Sequence, residues 1–287
     1  MSEKHNRHHR PRIGLALSGG AGRGIAHIGV LRALEENEIP IDAIAGASAG
    51  ALIGGCYAAG LSIKQLEEMA RTFRWRHMGR LAYSRLGVQS NKRMETFLRA
   101  RLPVTRFEDM KIPFAAMVTD LRNGTLIVMR DTGDVPFAIR ASNCLPVLYA
   151  PIEDNEGRLL VDGGLVANLP VNETRRLGAD IVIGVDVGGD GARFMNTPRT
   201  ALGVLTQVFV AVERIVSNQE RENADLVITP RVGHLRWDET RRAKEFLTAG
   251  YDAARESIGR ISEMIDRHAS SKQMAESFVY RDTDSPL

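Results

Sequence analysis

Ser48 stands in Gly46-Ala47-Ser48-Ala49-Gly50, directly after the apolar run of residues 41–45 and directly before Ala51-Leu52-Ile53. A strand, an abrupt turn and a helix with a serine at the corner is the setting of a nucleophile elbow. The flanking Gly46 and Gly50 leave room for the turn, and the hydroxyl stands at the positive end of the following helix. A serine needs a base to take its proton and donors to receive the oxyanion it creates. Two other stretches carry suitable residues. Gly19-Gly20-Ala21-Gly22-Arg23-Gly24 follows an apolar run and precedes a helical pattern, so its amides face whatever anion lies above the helix end. Val161-Asp162-Gly163-Gly164 places a carboxylate at the end of a short strand, followed by two glycines that let another backbone or a substrate come close. A carboxylate in a partly desolvated pocket is a better proton acceptor than one in water, so Ser48 and Asp162 can run acyl transfer without an imidazole between them.

Other chemistries compete for the same residues. The first loop fits GxGxxG with Ala21 in the place of the second glycine, which admits a dinucleotide pyrophosphate as well as an oxyanion. Against the dinucleotide, Ala21 adds a methyl where the backbone must approach the pyrophosphate, and the second strand ends in residues 46–50 instead of an acidic ribose ligand. Asp42, the nearby acid, stands at that strand's beginning. A phosphate-binding Walker loop fails because Ile25 follows Gly24 where lysine is required. A conventional Ser-Asp-His hydrolase is the nearest mechanistic rival, since His234 and His268 follow Asp162 in the usual order. A catalytically silent interaction module is the remaining alternative. No acidic loop of EF-hand type occurs, so neither calcium nor any other metal or cofactor is expected.

The elements that must position these residues follow from periodicity and punctuation. Residues 13–17 read as a buried strand, 25–36 as a helix and 41–46 as a second strand, which together make a βαβ unit. Ser62 with Gln65 forms a capping box for a helix through Arg71, and Asn91 is expected to cap another that ends near Leu102. Residues 112–120 and 125–130 alternate as strands around the turn residues 122–124, and 159–161 form a short strand that ends at Asp162. A helix from Pro170 to Gly178 leads into a continuous apolar strand at 181–187. Long helices are expected over 202–223 and 243–266 with a strand at 226–229 between them, and a loose tail after Ser270. The reading is therefore of a basic disordered tail over 1–12, one domain over 13–269 and a flexible tail over 270–287.

At 287 residues and 44% hydrophobic, the chain is long enough to bury one large core. Its two cysteines, Cys56 and Cys144, both lie in apolar surroundings and found no disulfide framework, and the polar first twelve residues resemble no secretory signal, so a cytoplasmic setting is expected. The net charge of +3 is carried by Lys4, Arg7, Arg10 and Arg12 against Glu3, which leaves the body neutral and gives no reason to expect nucleic acid. Residues 71–101 are locally basic: Arg71, Arg74, Arg76, Arg80, Arg85, Lys92, Arg93, Arg99 and Arg101 face only Glu95, with Phe73, Trp75, Met78, Leu81 and Tyr83 interleaved. That mixture suits peripheral contact with an anionic membrane, and equally a solvated face or a subunit contact. Residues 43–63 are uncharged over a length that would span a bilayer, but glycines and serines dilute them and the elbow would lie inside the span, so they read as soluble core.

Taken together, the glycine-rich loop at 19–24, GxSxG at 46–50 and Asp162-Gly163-Gly164 resemble, in order, the motifs of patatin-like phospholipases, in particular compact bacterial members similar to the catalytic domain of neuropathy target esterase. Arg140-Ala141-Ser142 with Pro146 and Pro151 resembles the family's segment before the catalytic acid, and Asn168-Leu169-Pro170 the segment after it; the similarity runs over residues 13–187. The resemblance implies an α/β fold, a three-layer α/β/α sandwich with a mainly parallel central sheet. It implies Ser48 as nucleophile, Asp162 as proton acceptor, and an oxyanion hole from the amides of Gly19, Gly20, Ala21 and Gly22, with Arg23, Gly24, Gly46, Gly50, Gly163 and Gly164 supporting the motifs. The substrate it implies is a lipid ester, phospholipid or lysophospholipid, met in the cytoplasm or at the inner membrane face. Where the family shows three successive glycines this chain has Gly19-Gly20-Ala21, a change that keeps the backbone amide.

Overall fold

The computed structural model describes residues 10–72, 79–81, 86–190 and 198–282. In chain order the strands are β1 (Ile13–Leu17), β2 (Ala43–Ala47), β3 (Arg80–Leu81), β4 (Gly87–Ser90), β5 (Phe114–Asp120), β6 (Thr125–Arg130), β7 (Val147–Tyr149), β8 (Ile152–Glu153), β9 (Leu159–Asp162), β10 (Ile181–Val185) and β11 (Leu226–Ile228). The helices are α1 (Ile25–Glu36), α2 (Ala49–Ala58), α3 (Ile63–Thr72), α4 (Lys92–Arg99), α5 (Val135–Ser142), α6 (Val171–Arg176), α7 (Ala201–Arg221), α8 (Ala243–Arg255) and α9 (Ile258–Asp282).

The main sheet runs β11-β10-β1-β2-β5-β9-β8, with β6 also paired to β5. The five strands from β11 to β5 are parallel, while β6, β9 and β8 join antiparallel. Alternation along β1 and β2 divides the core between two faces. Ile13, Leu15, Leu17 and Ile44 enter a large cluster with α1, α2, α3, α5 and α8, whereas Ala16 and Ala45 face the opposite side. The small residues of that second face let α6 lie close against β1, β2 and β10, and α7 packs beside α6. Helices on both faces of a mainly parallel sheet make the expected three-layer α/β/α sandwich.

One feature of register positions the chemistry. β5 shares one edge between two strands: β2 pairs with it as far as Ala47 opposite Met117, and β9 takes over with Asp162 opposite Val118. As β2 leaves the sheet to turn into α2, β9 arrives from the other direction in its place. Residue 48 and residue 162 are thereby brought to the same point of the sheet, at the carboxyl ends of the parallel strands.

Several local expectations change. The ordered chain starts before Ile13: the Arg10 guanidinium binds the Asp42 carboxylate at 2.6 and 2.8 Å, and the Arg12 carbonyl accepts from the amides of Asp180 and Ile181. These partners stand at the start of the strands either side of β1, so the last residues of the supposed tail close its open end. The single helix expected over 243–266 is two, broken where Ser257 donates back to Ala254 and Ala253. The second, α9, continues past Ser270 to Asp282, because no glycine or proline in that stretch stops a helix already nucleated. Asn91 precedes α4 without capping it; its side chain is turned to Arg140, donating to the carbonyl and accepting from Nε. The small sheet β3-β4-β7 and helix α5 were not anticipated.

Of the basic region, residues 73–78 and 82–85 lie outside the described residues, and with them Arg74, Arg76 and Arg85. Arg71 pairs with Glu68, while Arg99 bridges Glu95 and Asp134, so part of the excess charge is met by acids from elsewhere in the fold. Residues 43–63 form β2, the elbow and α2, and among the described residues no helix is long and apolar enough to cross a membrane.

Candidate active site

Ser48 occupies φ 49° and ψ −119°, a conformation costly for a residue with a side chain and held here from all sides. A Cβ at Gly46 would lie 2.5 Å from the carbonyl carbon of Gly50, and one at Gly50 would run into the Leu17 carbonyl, so both glycines of the motif are required by close backbone approach. The amide of Ser48 donates to Ser142 Oγ at 2.9 Å, and Asn143 Nδ2 donates to the Ser48 carbonyl at 2.8 Å. The end of α5 thus clasps the elbow by its amide and its carbonyl.

Asp162 closes β9 and is 1% exposed. Its Oδ1 accepts the Gly164 amide at 2.9 Å, its backbone is fixed by Cys144 and Thr119, and its side chain lines the same cavity as Ser48. Burial pushes the carboxyl up to about 7, against the opposing pull of the Gly164 amide and the nearby Ser48 side chain. A group with that proton affinity takes a proton far more readily than a surface aspartate. Gly163 passes directly over the Met117 carbonyl, where a Cβ would collide.

The glycine-rich loop leaves β1 and coils into a single 3-10 turn, Ala21–Gly24, ahead of α1. Two of its four expected donors are already engaged: the Gly19 amide binds Asn168 at Oδ1 and the main-chain carbonyl, and the Gly22 amide binds the Trp237 carbonyl at 3.0 Å. Gly20 and Ala21 have no amide partner among the described residues, which narrows the oxyanion candidates from four to two. Arg23 is buried and its guanidinium donates twice to the Leu235 carbonyl, tying the loop to the chain beyond β11. Gly24 faces Ala49 at the start of α2, where a Cβ would overlap the alanine methyl. His27, fully buried on α1, holds the Ser18 carbonyl through Nε2 at 2.9 Å, and burial pushes its pKa down to about 4.

These pieces meet in one cavity of about 140 Å³ lined by Ser48, Asp162 and residues 20–25. Ile25, Leu52, Ile53, Met69, Leu145, Leu148, Tyr149, Phe209 and Val210 make the remaining wall largely apolar, and Glu213 of α7 adds a second carboxyl. None of the described histidines lines it; His234 is exposed and His268 lies on α9. Asp42, the nearest stand-in for a ribose ligand, is occupied by Arg10 and the Ile13 amide at the opposite ends of the strands. The sequence places Ser142 in a matched stretch without giving it a role, and does not single out Asn143 or Glu213. The first two lie in or directly after the stretch matched before the acid, whereas nothing in the pattern of α7 marks Glu213.

The family model described as patatin-like phospholipase matches residues 15–175. Lysophospholipase NTE1 of Cryptococcus neoformans var. neoformans serotype D is 38% identical over 182 residues, covering 61% of this chain and 11% of that protein. Its counterpart from Mycosarcoma maydis is 39% identical over 182 residues, covering 61% and 10%. The chain therefore spans about a tenth of the length of these relatives. Among solved structures, VipD from Legionella pneumophila shares the fold with a TM-score of 0.56 at 16% identity, covering 91% of this chain and 67% of VipD.

Proposed function

Because the chain belongs to the patatin-like phospholipase family, we propose that it hydrolyses carboxylic esters of lipids, phospholipids or lysophospholipids, with Ser48 as nucleophile and Asp162 as base. The observation that carries this reading is that Ser48 shares one apolar cavity with a buried carboxyl of raised proton affinity and with the amides of Gly20 and Ala21, which have no partner among the described residues. The related proteins named lysophospholipase support the substrate class.

In this mechanism the acyl chain lies along Leu52, Ile53, Leu145, Leu148 and Phe209. Asp162 takes the Ser48 proton as Oγ attacks the ester carbonyl, and the amides of Gly20 and Ala21 receive the oxyanion. Collapse expels the alcohol with a proton returned from Asp162 and leaves an acyl-serine. Water, deprotonated by Asp162, attacks the acyl-serine and releases the fatty acid. The unit that does this is the domain built on residues 13–269, joined by Arg10, Arg12 and the remainder of α9, working in the cytoplasm at a membrane's inner face, with the exposed Lys92, Arg93 and Arg101 toward anionic lipid.

The test is hydrolysis of p-nitrophenyl butyrate and of a lysophosphatidylcholine by wild type, Ser48→Ala and Asp162→Asn, with folding followed by circular dichroism. Activity confined to wild type is the expected result. Turnover by folded Ser48→Ala refutes the assignment.

A further inference from the structure

Glu213 lies in the middle of α7, is 8% exposed, and lines the cavity together with Ser48 and Asp162. Its Oε1 touches both halves of the site. A Cβ built on Gly164, two residues after Asp162, would stand 2.6 Å from it, and one built on Gly19, directly before the unpaired amides, would stand 3.0 Å from it. The charged groups that act on it are Asp162 from β9, Asp186 after β10, and Arg23 from the turn after β1. Asp186 is paired with Arg221 of α7 at 2.6 Å, and the Arg23 guanidinium is bound to the Leu235 carbonyl. On the helix itself Arg214 is exposed, and Ser217, one turn on, accepts from Asn168. Burial first, then repulsion from Asp162 and Asp186, holds the Glu213 carboxyl well above the usual range, with Arg23 pulling the other way.

We propose that Glu213 is a second carboxyl of the active site, kept protonated while the enzyme works, and that losing its proton stops turnover by setting a negative charge beside the loop that must receive the oxyanion. The proposal rests on the Ser48–Asp162 reading. During attack the negative charge moves from Asp162 to the substrate oxygen at Gly20 and Ala21, and Glu213 lies against the chain at both ends of that path. While it is neutral it adds no repulsion to either end, and it braces Gly19 and Gly164 by contact. Once ionised it opposes the charge at its destination. Glu213 acts through the loop and through Asp162, and is a positioning residue in this sense.

The experiment is the pH profile of kcat/KM for p-nitrophenyl butyrate between about pH 5.5 and about pH 10, for wild type and Glu213→Gln, with tryptophan fluorescence confirming the fold at each pH. Wild type is expected to lose activity about tenfold per pH unit on the alkaline side, and the glutamine variant to lose that descending limb. The comparison is of profile shape within each protein, so the height of each profile does not enter. Should the glutamine variant not fold, Glu213→Met removes the same titration with an apolar side chain of similar length. A descending limb retained unchanged in the variant, or a wild type flat to about pH 10, overturns the proposal. Ser48→Ala is run beside them: activity there overturns the Ser48–Asp162 reading itself, whereas inactive Ser48→Ala with an unaltered alkaline limb in Glu213→Gln overturns only the role of Glu213.

Discussion

Replacing Asp162 by asparagine is expected to abolish hydrolysis and at the same time make the fold more stable, and the second effect is calculable. The carboxyl rises from an ordinary 3.8 to about 7 on folding, chiefly because burial penalises its charge. A difference of about three pKa units corresponds to about 4 kcal/mol. The folded state binds the proton more tightly than the unfolded chain, so the carboxyl favours folding fully below pH 3.8, and that contribution is lost as pH rises through about 7. Above that, the wild type holds a buried negative charge at nearly full cost. Asparagine is a permanent mimic of the protonated form: its carbonyl oxygen accepts from Gly164 as Oδ1 does, and its amide can meet Ser48 Oγ. For a chain of this size the gain amounts to an increase in Tm on the order of 10 °C at about pH 8.5, shrinking as pH falls toward 4. Differential scanning fluorimetry of both proteins across that range is the assay. Equal melting temperatures at pH 8.5, or a gain that does not depend on pH, refute the argument that desolvation sets the proton affinity of Asp162.

His27 has the opposite sign. Burial depresses it from 6.5 to about 4, so the unfolded chain takes a proton that the fold refuses, and about 3 kcal/mol of stability present above pH 6.5 is lost as pH falls to about 4. Urea midpoints at pH 7.5 and 5 should fall less steeply for His27→Gln than for wild type. Asn143→Ala removes the amide that holds the Ser48 carbonyl and should lower kcat about tenfold by loosening the elbow, read by steady-state kinetics on a soluble ester. His234→Ala and His268→Ala should keep wild-type turnover, because neither side chain lines the cavity; loss in either folded variant restores the Ser-Asp-His alternative. Gly50→Ala should leave little soluble protein, since its methyl would meet the Leu17 backbone, which has no flexible end to move away; expression and urea titration decide.

The sandwich was readable because its signals are local. The buried strand of residues 13–17, the 25–36 helix and the Ser62–Gln65 capping box each follow from a few consecutive residues, and Ser62 and Gln65 bond reciprocally as read. The three motifs likewise announced themselves by glycines that cannot carry a side chain where they stand. What escaped depends on partners distant in sequence. Asn91 looks like a helix cap from its neighbours, yet Arg140 outcompetes the helix for its side chain. Gly19 and Gly22 look like free donors until Asn168 and Trp237 arrive to bind them. Glu213 in α7 has no neighbouring residue that reveals its burial beside Asp162. The strands of the small sheet are too short, and too dependent on each other, to show a period.

The shared edge of β5 determines which changes in length this protein can tolerate. Because β2 and β9 meet end to end along one strand, the spacing of nucleophile and acid is fixed by two independent registers against the same ruler, Met117 opposite Ala47 and Val118 opposite Asp162. The turn between β8 and β9 is exposed at Asn155 and Glu156 and can gain or lose residues as freely as the hairpin at 122–124. One residue inserted within β9 itself would point Asp162 to the opposite face of the sheet, away from Ser48, or turn Leu160 out of the core it fills. Drift in sequence length is therefore expected to accumulate at that turn and to spare the strand that follows it.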